Sequence, residues 1–194
     1  IPAGTDKILL SFGGSLGAQR VNEEVLALMR DYTAKHPEIF HVHATGKIEY
    51  EDAMAMAKEY GIDNKPNIRL LEYIYDMPLR MAAADIIISR AGAITISELA
   101  RQGKAAILIP SPNVTDDQQT KNAKALADIG GACMIREPEL VNGKICKEVA
   151  SLLEDGARRA AMEKAIAGFA PFDSNKLIFD ELVRLSKSKN YSQG

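Results

Sequence analysis

Three short stretches of this chain hold residue types and spacings that could bind a ligand. The first is Gly13-Gly14-Ser15-Leu16-Gly17, which follows an apolar run. Glycines there let the backbone turn sharply and let a ligand approach main-chain N–H groups. Ser15 could donate its hydroxyl to a phosphate or cap the helix that follows. The pattern is neither GxGxxG nor GxxxxGK, so it carries no dinucleotide or P-loop fingerprint. Alone it fits a bare tight turn as well as an anion or sugar contact. The second stretch is Arg90-Ala91-Gly92-Ala93-Ile94-Thr95-Ile96-Ser97-Glu98, after the apolar run Asp85 to Ser89. A strand, a small-residue turn and a helix start would put several free N–H groups at the sheet's carboxyl edge. That suits a diphosphate, with the helix dipole adding about 0.3–1 kcal/mol per exposed charge. Glu98 has two readings: partner of Thr95 in a capping box, or a carboxylate one turn into the helix that accepts hydrogen bonds from two ribose hydroxyls. The third stretch, Ser111 to Gln119, is stiffened by Pro112 and ends in Asp116-Asp117-Gln118-Gln119, with Asn122 beyond. Two adjacent amides could recognise sugar hydroxyls without charge. The competing reading is a solvated helix terminus capped by Asp116 or Asp117.

The elements that would position these stretches alternate along the chain. Strands are expected at Lys7 to Phe12, Ile39 to Thr45, Ile68 to Leu71, Asp85 to Ser89, Ala105 to Pro110 and Ala132 to Arg136. Helices are expected from Ala18 to about Lys35, and at Glu49 to Tyr60, Pro78 to Ala83, Ile94 to Gln102 and Asp117 to Ile129. From Pro138 onward the pattern is helical, broken near Gly156, Gly168 and Pro171. Strands that are apolar throughout and alternate with helices imply a mostly parallel sheet covered on both faces. The fold class is therefore α/β, a doubly wound, Rossmann-like sheet of about six strands, with ligands expected outside the carboxyl ends of the strands where strand order reverses.

Composition narrows the function classes. The chain has 194 residues, 46% apolar and 26% charged, with 24 basic and 26 acidic side chains, enough for one domain with a sizeable core. A formal charge of −2 gives no bulk attraction to nucleic acid or anionic lipid. Cys133 and Cys146 form no CxxC pair and read as reduced, buried thiols of a cytosolic protein. No apolar run approaches the ~18 residues a membrane span needs, and no secretory signal opens the chain. His41 and His43 alternate on one strand and could share a face; no third ligand with metal spacing accompanies them, so a structural role is expected. Residues Leu177 to Lys189 are amphipathic. No cluster of acidic residues suggests a metal, and no cofactor is expected.

Taken in order, GGSLGA, Tyr73-Ile74-Tyr75-Asp76-Met77, Ser89 to Glu98, and Asp117-Gln118-Gln119 with Asn122 resemble the carboxyl-terminal, donor-binding half of the MurG family of bacterial N-acetylglucosaminyltransferases. The resemblance runs from about Lys7 to Arg136. It implies the second half of a two-domain GT-B glycosyltransferase. Ser15 would contact phosphate, supported by Gly13, Gly14 and Gly17. The backbone around Ile74 would read uracil. Ala93, Ile94 and Thr95, after Gly92, would offer amides to the diphosphate, and Glu98 would bind the ribose. Gln118 and Gln119, supported by Asn122, would recognise the N-acetylglucosamine ring. Leu16 stands where some members carry glutamine, and Ala91 where serine or glycine is frequent.

The resemblance further implies UDP-N-acetylglucosamine as donor and a lipid-linked N-acetylmuramyl-pentapeptide as acceptor. The acceptor and the general base would belong to an amino-terminal domain that this chain lacks. Residues 1–6 would be residual interdomain linker, 7–170 the donor-binding domain, and 171–194 a helical tail returning toward the missing domain. The whole enzyme would sit on the cytoplasmic face of the bacterial membrane, serving peptidoglycan synthesis, and this chain alone would not turn over. An alternative is a stand-alone nucleotide-sugar-binding subunit that needs a separate acceptor-binding partner. A Rossmann-type oxidoreductase is disfavoured by the glycine spacing.

Overall fold

The computed structural model of the chain describes residues 1–14, 17–169 and 183–185. It begins with β1 (Lys7–Phe12), α1 (Gln19–Asp31), a 3-10 turn (Thr33–Lys35), β2 (Ile39–Ala44), α2 (Tyr50–Glu59) and β3 (Ile68–Leu71). There follow α3 (Met77–Ala83), β4 (Ile86–Ser89), α4 (Ala93–Gln102), β5 (Ala105–Leu108), a second 3-10 turn (Thr115–Asp117) and α5 (Gln118–Asp128). The two-residue β6 (Cys133–Met134), a third 3-10 turn (Glu137–Glu139), α6 (Lys144–Glu154) and α7 (Gly156–Gly168) complete the domain. The six strands form one sheet in the order β3-β2-β1-β4-β5-β6, every pair parallel. This is the doubly wound α/β sheet expected from the sequence.

The alternation of side chains along each strand explains the two layers. Leu9, Ile86, Ile88 and Ile107 pack on one face against Val21, Val25, Leu28 and Met29 of α1 and against α2 and α6. Leu10, Phe12, Ile87, Ala106 and Leu108 pack on the other against α3, α4 and α5. Both faces of the central strands are dry, which is why KILLSF, IIIS and AAIL read as unbroken apolar runs.

The boundaries move where local geometry intervenes. The first helix stops at Asp31, because Tyr32 leaves helical geometry (φ −125°, ψ −65°), and resumes only as a 3-10 turn. The last strand shrinks from five expected residues to two, because it lies at the sheet edge and pairs with β5 alone. The cysteines are half-buried rather than fully buried, and burial pushes the Cys133 thiol up to about 12. Such a thiol is inert. Among the described residues no helix is long and apolar enough to cross a membrane. Residues Val183, Arg184 and Leu185 are helical, and the rest of the expected 171–194 tail lies outside the described residues.

Candidate functional site

Strand order reverses between β1 and β4, so the loops leaving their carboxyl ends diverge and leave a crevice between them. A cleft of about 700 Å³ opens there. Gly13, Gly14 and Gly17 form one wall, Gly92 and Thr95 a second, and Gln119 with Ser111 and Asn113 a third. Three of the four stretches singled out in the sequence thus meet in one place.

The glycine wall is tightly built. Gly17 has φ +91°, and a Cβ there would lie 2.5 Å from the Thr45 carbonyl oxygen and 2.8 Å from Glu49 Cγ. Gly14 has φ +105° but faces open space, so its requirement is conformational alone. Ser15 and Leu16 lie outside the described residues.

The second wall is a helix terminus without a side-chain cap. Gly92 is the N-cap in extended geometry (φ −67°, ψ 148°), and no side chain caps the amides of the first turn. The first helical bond runs from Ile96 N–H to Gly92 C=O at 2.9 Å, so the amides of Ala93, Ile94 and Thr95 precede it. This placement overturns the capping-box reading of Thr95 and Glu98. The helix starts at Ala93, so Thr95 is its third residue and Glu98 its sixth, a turn too late to cap. Glu98 is half-buried, its side chain has no hydrogen bond among the described residues, and it lies outside the residues lining the cleft. Its Cα–Cβ bond tilts toward the helix start, over Ile94, which is 77% exposed.

The third wall holds the second in place. Gln119 Oε1 accepts from Ala91 N–H at 3.2 Å and from Ser111 N–H at 2.9 Å. Asn122 Nδ2 donates to the Ala91 carbonyl at 3.0 Å, while its Oδ1 accepts from Gln118 Nε2 at 3.1 Å. The Ala91 peptide is therefore gripped on both sides by α5. Gln119 therefore keeps only its Nε2 donors for a ligand, while the neighbouring Gln118 amide is exposed. Asp116 and Asp117 both adopt left-handed backbone geometry (φ 54° and 51°), and Asp117 occupies the N-cap position of α5 without a side-chain capping bond. The simple solvated cap is thus not what the structure shows.

Ile74 is not in the cleft. Its side chain is 3% exposed and belongs to the core beneath Phe12, Ala91 and Ile96, so only its backbone can face a ligand. The loop that carries it leads into α3, which packs beside α4. Tyr73 and Tyr75 flank it edge to face, with ring centroids 5.0 Å apart.

Arg90, Glu137 and Arg20 line the cleft without having been singled out for a role. The Arg90 guanidinium donates to the carbonyls of Ile109 (3.3 Å) and Pro110 (3.2 Å) and lies 2.6 Å from Glu137 Oε2, joining the ends of β4, β5 and β6. Arg20 pairs with Glu23 at 3.2 Å and Glu24 at 2.9 Å and also donates to the Leu140 carbonyl. Burial raises the Glu24 carboxyl above its ordinary range, with Arg20 opposing. Arg90 lies inside a recognised stretch, but its partner Glu137 comes from beyond β6, and nothing local marks it. Among the described residues no group of three or more His, Cys, Asp or Glu could hold a metal ion.

Comparisons with known proteins agree with this geometry. The profile described as Glycosyltransferase family 28 C-terminal domain matches residues 8–177. A protein of Acetivibrio thermocellus is 36% identical over 94% of this chain and 48% of its own length. One of Flavobacterium psychrophilum is 38% identical over 94% of this chain and 47% of its own. Both are named UDP-N-acetylglucosamine–N-acetylmuramyl-(pentapeptide) pyrophosphoryl-undecaprenol N-acetylglucosamine transferase. The crystal structure of Acinetobacter baumannii MurG superposes with a TM-score of 0.77 at 29% identity, over 95% of this chain and 54% of that one. The chain spans about half the length of the curated relatives it matches.

Proposed function

Because the chain belongs to the glycosyltransferase family 28 C-terminal domains, we propose that it is the donor-binding half of an inverting glycosyltransferase. That enzyme would move N-acetylglucosamine from UDP-N-acetylglucosamine to a lipid-linked N-acetylmuramyl-pentapeptide at the inner face of the bacterial membrane. The observation that carries this reading is the uncapped start of α4 at the point of strand reversal, facing the glycine wall across the cleft.

Each group has a role in that reading. The amides of Ala93, Ile94 and Thr95 accept the diphosphate and take up the charge that grows as UDP leaves. Losing one preorganised donor of this kind costs roughly 2–4 kcal/mol of transition-state stabilisation. Ser15 and the loop glycines close on the phosphates from the other side. Glu98 accepts from the ribose hydroxyls, the backbone at Ile74 reads the uracil edge, and Gln118 and the free Nε2 of Gln119 read sugar hydroxyls. A site built to hydrogen-bond a hydroxyl rejects the wrong arrangement, because its polar groups are otherwise left unpaired. The acceptor and the general base come from an amino-terminal domain.

Calorimetric titration of the 194-residue chain with UDP-N-acetylglucosamine, UDP and ADP tests the proposal. The two uridine ligands should compete for one site and ADP should bind far more weakly. Equal binding of UDP and ADP, or no binding of either uridine ligand, would refute it. The chain alone should transfer no sugar to the lipid acceptor.

A further inference from the structure

Beneath the glycine wall lies a chain of buried polar groups that the proposed donor site does not use. Thr33, His41, Ser11, His43 and Asn22 are all buried, the first four with no exposed surface at all. They form consecutive contacts: Thr33 Oγ1 to His41 Nδ1 (3.2 Å), His41 Nε2 to Ser11 Oγ (2.9 Å), Ser11 Oγ to His43 Nδ1 (2.8 Å) and His43 Nε2 to Asn22 Oδ1 (3.0 Å). The chain ends where Asn22 Nδ2 donates to the Thr45 carbonyl at 2.9 Å.

For neutral rings, donor and acceptor inventory sets the direction of each side-chain bond in the run. The Thr45 carbonyl can only accept, so the Asn22 nitrogen faces it and the Asn22 oxygen faces His43. His43 therefore carries a proton on Nε2; in the neutral ring its Nδ1 accepts the Ser11 hydroxyl proton, and the Ser11 carbonyl, 3.1 Å from Nδ1, receives no proton from it. Ser11 has then spent its one hydrogen, so His41 Nε2–H donates to Ser11 Oγ and His41 Nδ1 accepts from Thr33. All five side chains are then bonded in one polarised run. Burial pushes His43 down to about 4 and His41 well below its ordinary value, which agrees with this assignment.

The placement of this run matters more than its length. Ser11 is the penultimate residue of β1, before the glycine-rich loop; Asn22 is in the first turns of α1, after it. His43 bonds both. The Thr45 carbonyl that receives Asn22 is the same atom against which Gly17 rests with no room for a Cβ. The stem of the loop, its exit helix and its floor are thus joined through one imidazole.

We propose that His43 is a positioning residue for the glycine-rich loop, fixing its entry, exit and floor through Ser11, Asn22 and Thr45, and thereby setting one wall of the donor cleft. Its consequence for binding rests on the donor-site reading above; its consequence for the loop does not. His41 supplies the internal control. It is equally buried and shares Ser11, but its other bond goes to Thr33, beyond the far end of α1 and away from the loop.

The test compares His43→Leu, Asn22→Ala and His41→Leu with the parent chain, reading UDP affinity and hydrogen exchange of the amides of residues 13–18. Asn22→Ala keeps both rings and serves where His43→Leu does not fold. All three variants should lower the melting temperature. Only His43→Leu and Asn22→Ala should weaken UDP tenfold or more and speed exchange in the loop, with His41→Leu staying within twofold of the parent in affinity. If folded His43→Leu and Asn22→Ala keep parental affinity and loop protection, or if His41→Leu matches them in both, the proposal fails. If the parent itself does not bind UDP, the donor-site reading fails instead, and the exchange comparison alone decides the positioning role.

Discussion

Acidification should unfold this domain earlier than its carboxylates alone would dictate, and the buried histidine pair sets the size of the effect. His43 is held down to about 4 by desolvation, and His41 is held down by desolvation and by its neighbour His43. In the unfolded chain both take up a proton near the ordinary value of about 6.5. Between the unfolded and folded values the unfolded state binds more protons, so stability is complete above about pH 6.5 and falls as the pH drops. Each histidine contributes a slope of up to about 1.4 kcal/mol per pH unit. From pH 6.5 to 5 that is about 2 kcal/mol for His43, with His41 acting in the same direction, against a typical total of about 5–15 kcal/mol. Asp31 and Asp76 are held below their ordinary range by Arg30 and Arg80, so their losses come at lower pH. Glu24, raised by burial, acts in the opposite sense. Urea unfolding at half-unit steps from pH 8 to 5 measures the slope. His43→Gln should reduce it by one proton's worth, provided the fold is retained. Equal stability at pH 7 and pH 5 would show that the rings are not held neutral, and the directional assignment of the polar run would fall with it.

Three further outcomes follow from the cleft. Gly17→Ala should cost more than Gly14→Ala: both force positive φ, but only Gly17 meets the Thr45 carbonyl at 2.5 Å, and melting temperatures of the two variants compare them. Gln119→Ala should weaken UDP as well as UDP-N-acetylglucosamine in calorimetry, because its Oε1 braces the loop that leads into α4; a loss confined to the sugar-bearing ligand would contradict that bracing role. Glu98→Ala should weaken UDP while the unfolding free energy shifts by less than about 0.5 kcal/mol, as for an ordinary surface change, since the Glu98 side chain makes no hydrogen bond among the described residues.

What could be read from the sequence follows the range of the interactions involved. The strands were legible because burial on both sheet faces leaves a one-dimensional trace, as in Ile86, Ile87 and Ile88. The glycine loop and the β4–α4 turn were legible because their geometry needs small residues at adjacent positions. The Thr95-x-x-Glu98 pattern misled for a physical reason. A capping box marks a helix end that satisfies its own amides, whereas Gly92 starts this helix earlier and leaves them bare. The strand period placed His41 and His43 on one face, but their partners come from β1, α1 and the turn after it, and no local pattern announces them. Arg90 and Glu137 meet only because the ends of β4, β5 and β6 lie side by side, which strand order alone determines.

The same distinction bears on how an anion would be held. Arginine in a phosphate cleft invites the reading that it binds the phosphate, and two line this one. Both are already engaged: Arg90 by Glu137 and two carbonyls, Arg20 by Glu23, Glu24 and the Leu140 carbonyl. Drawing either guanidinium to a ligand would strand a carboxylate, and the less exposed Arg90–Glu137 pair, 2.6 Å apart, has the more to lose. The amides at the start of α4 carry no such debt, because among the described residues they have no partner to give up and their direction is fixed by the grip of Gln119 and Asn122 on Ala91. The work of the arginines is therefore to hold three strand ends and a helix in register, and in the proposed donor site the attraction for a diphosphate would fall on backbone dipoles that binding does not need to rearrange.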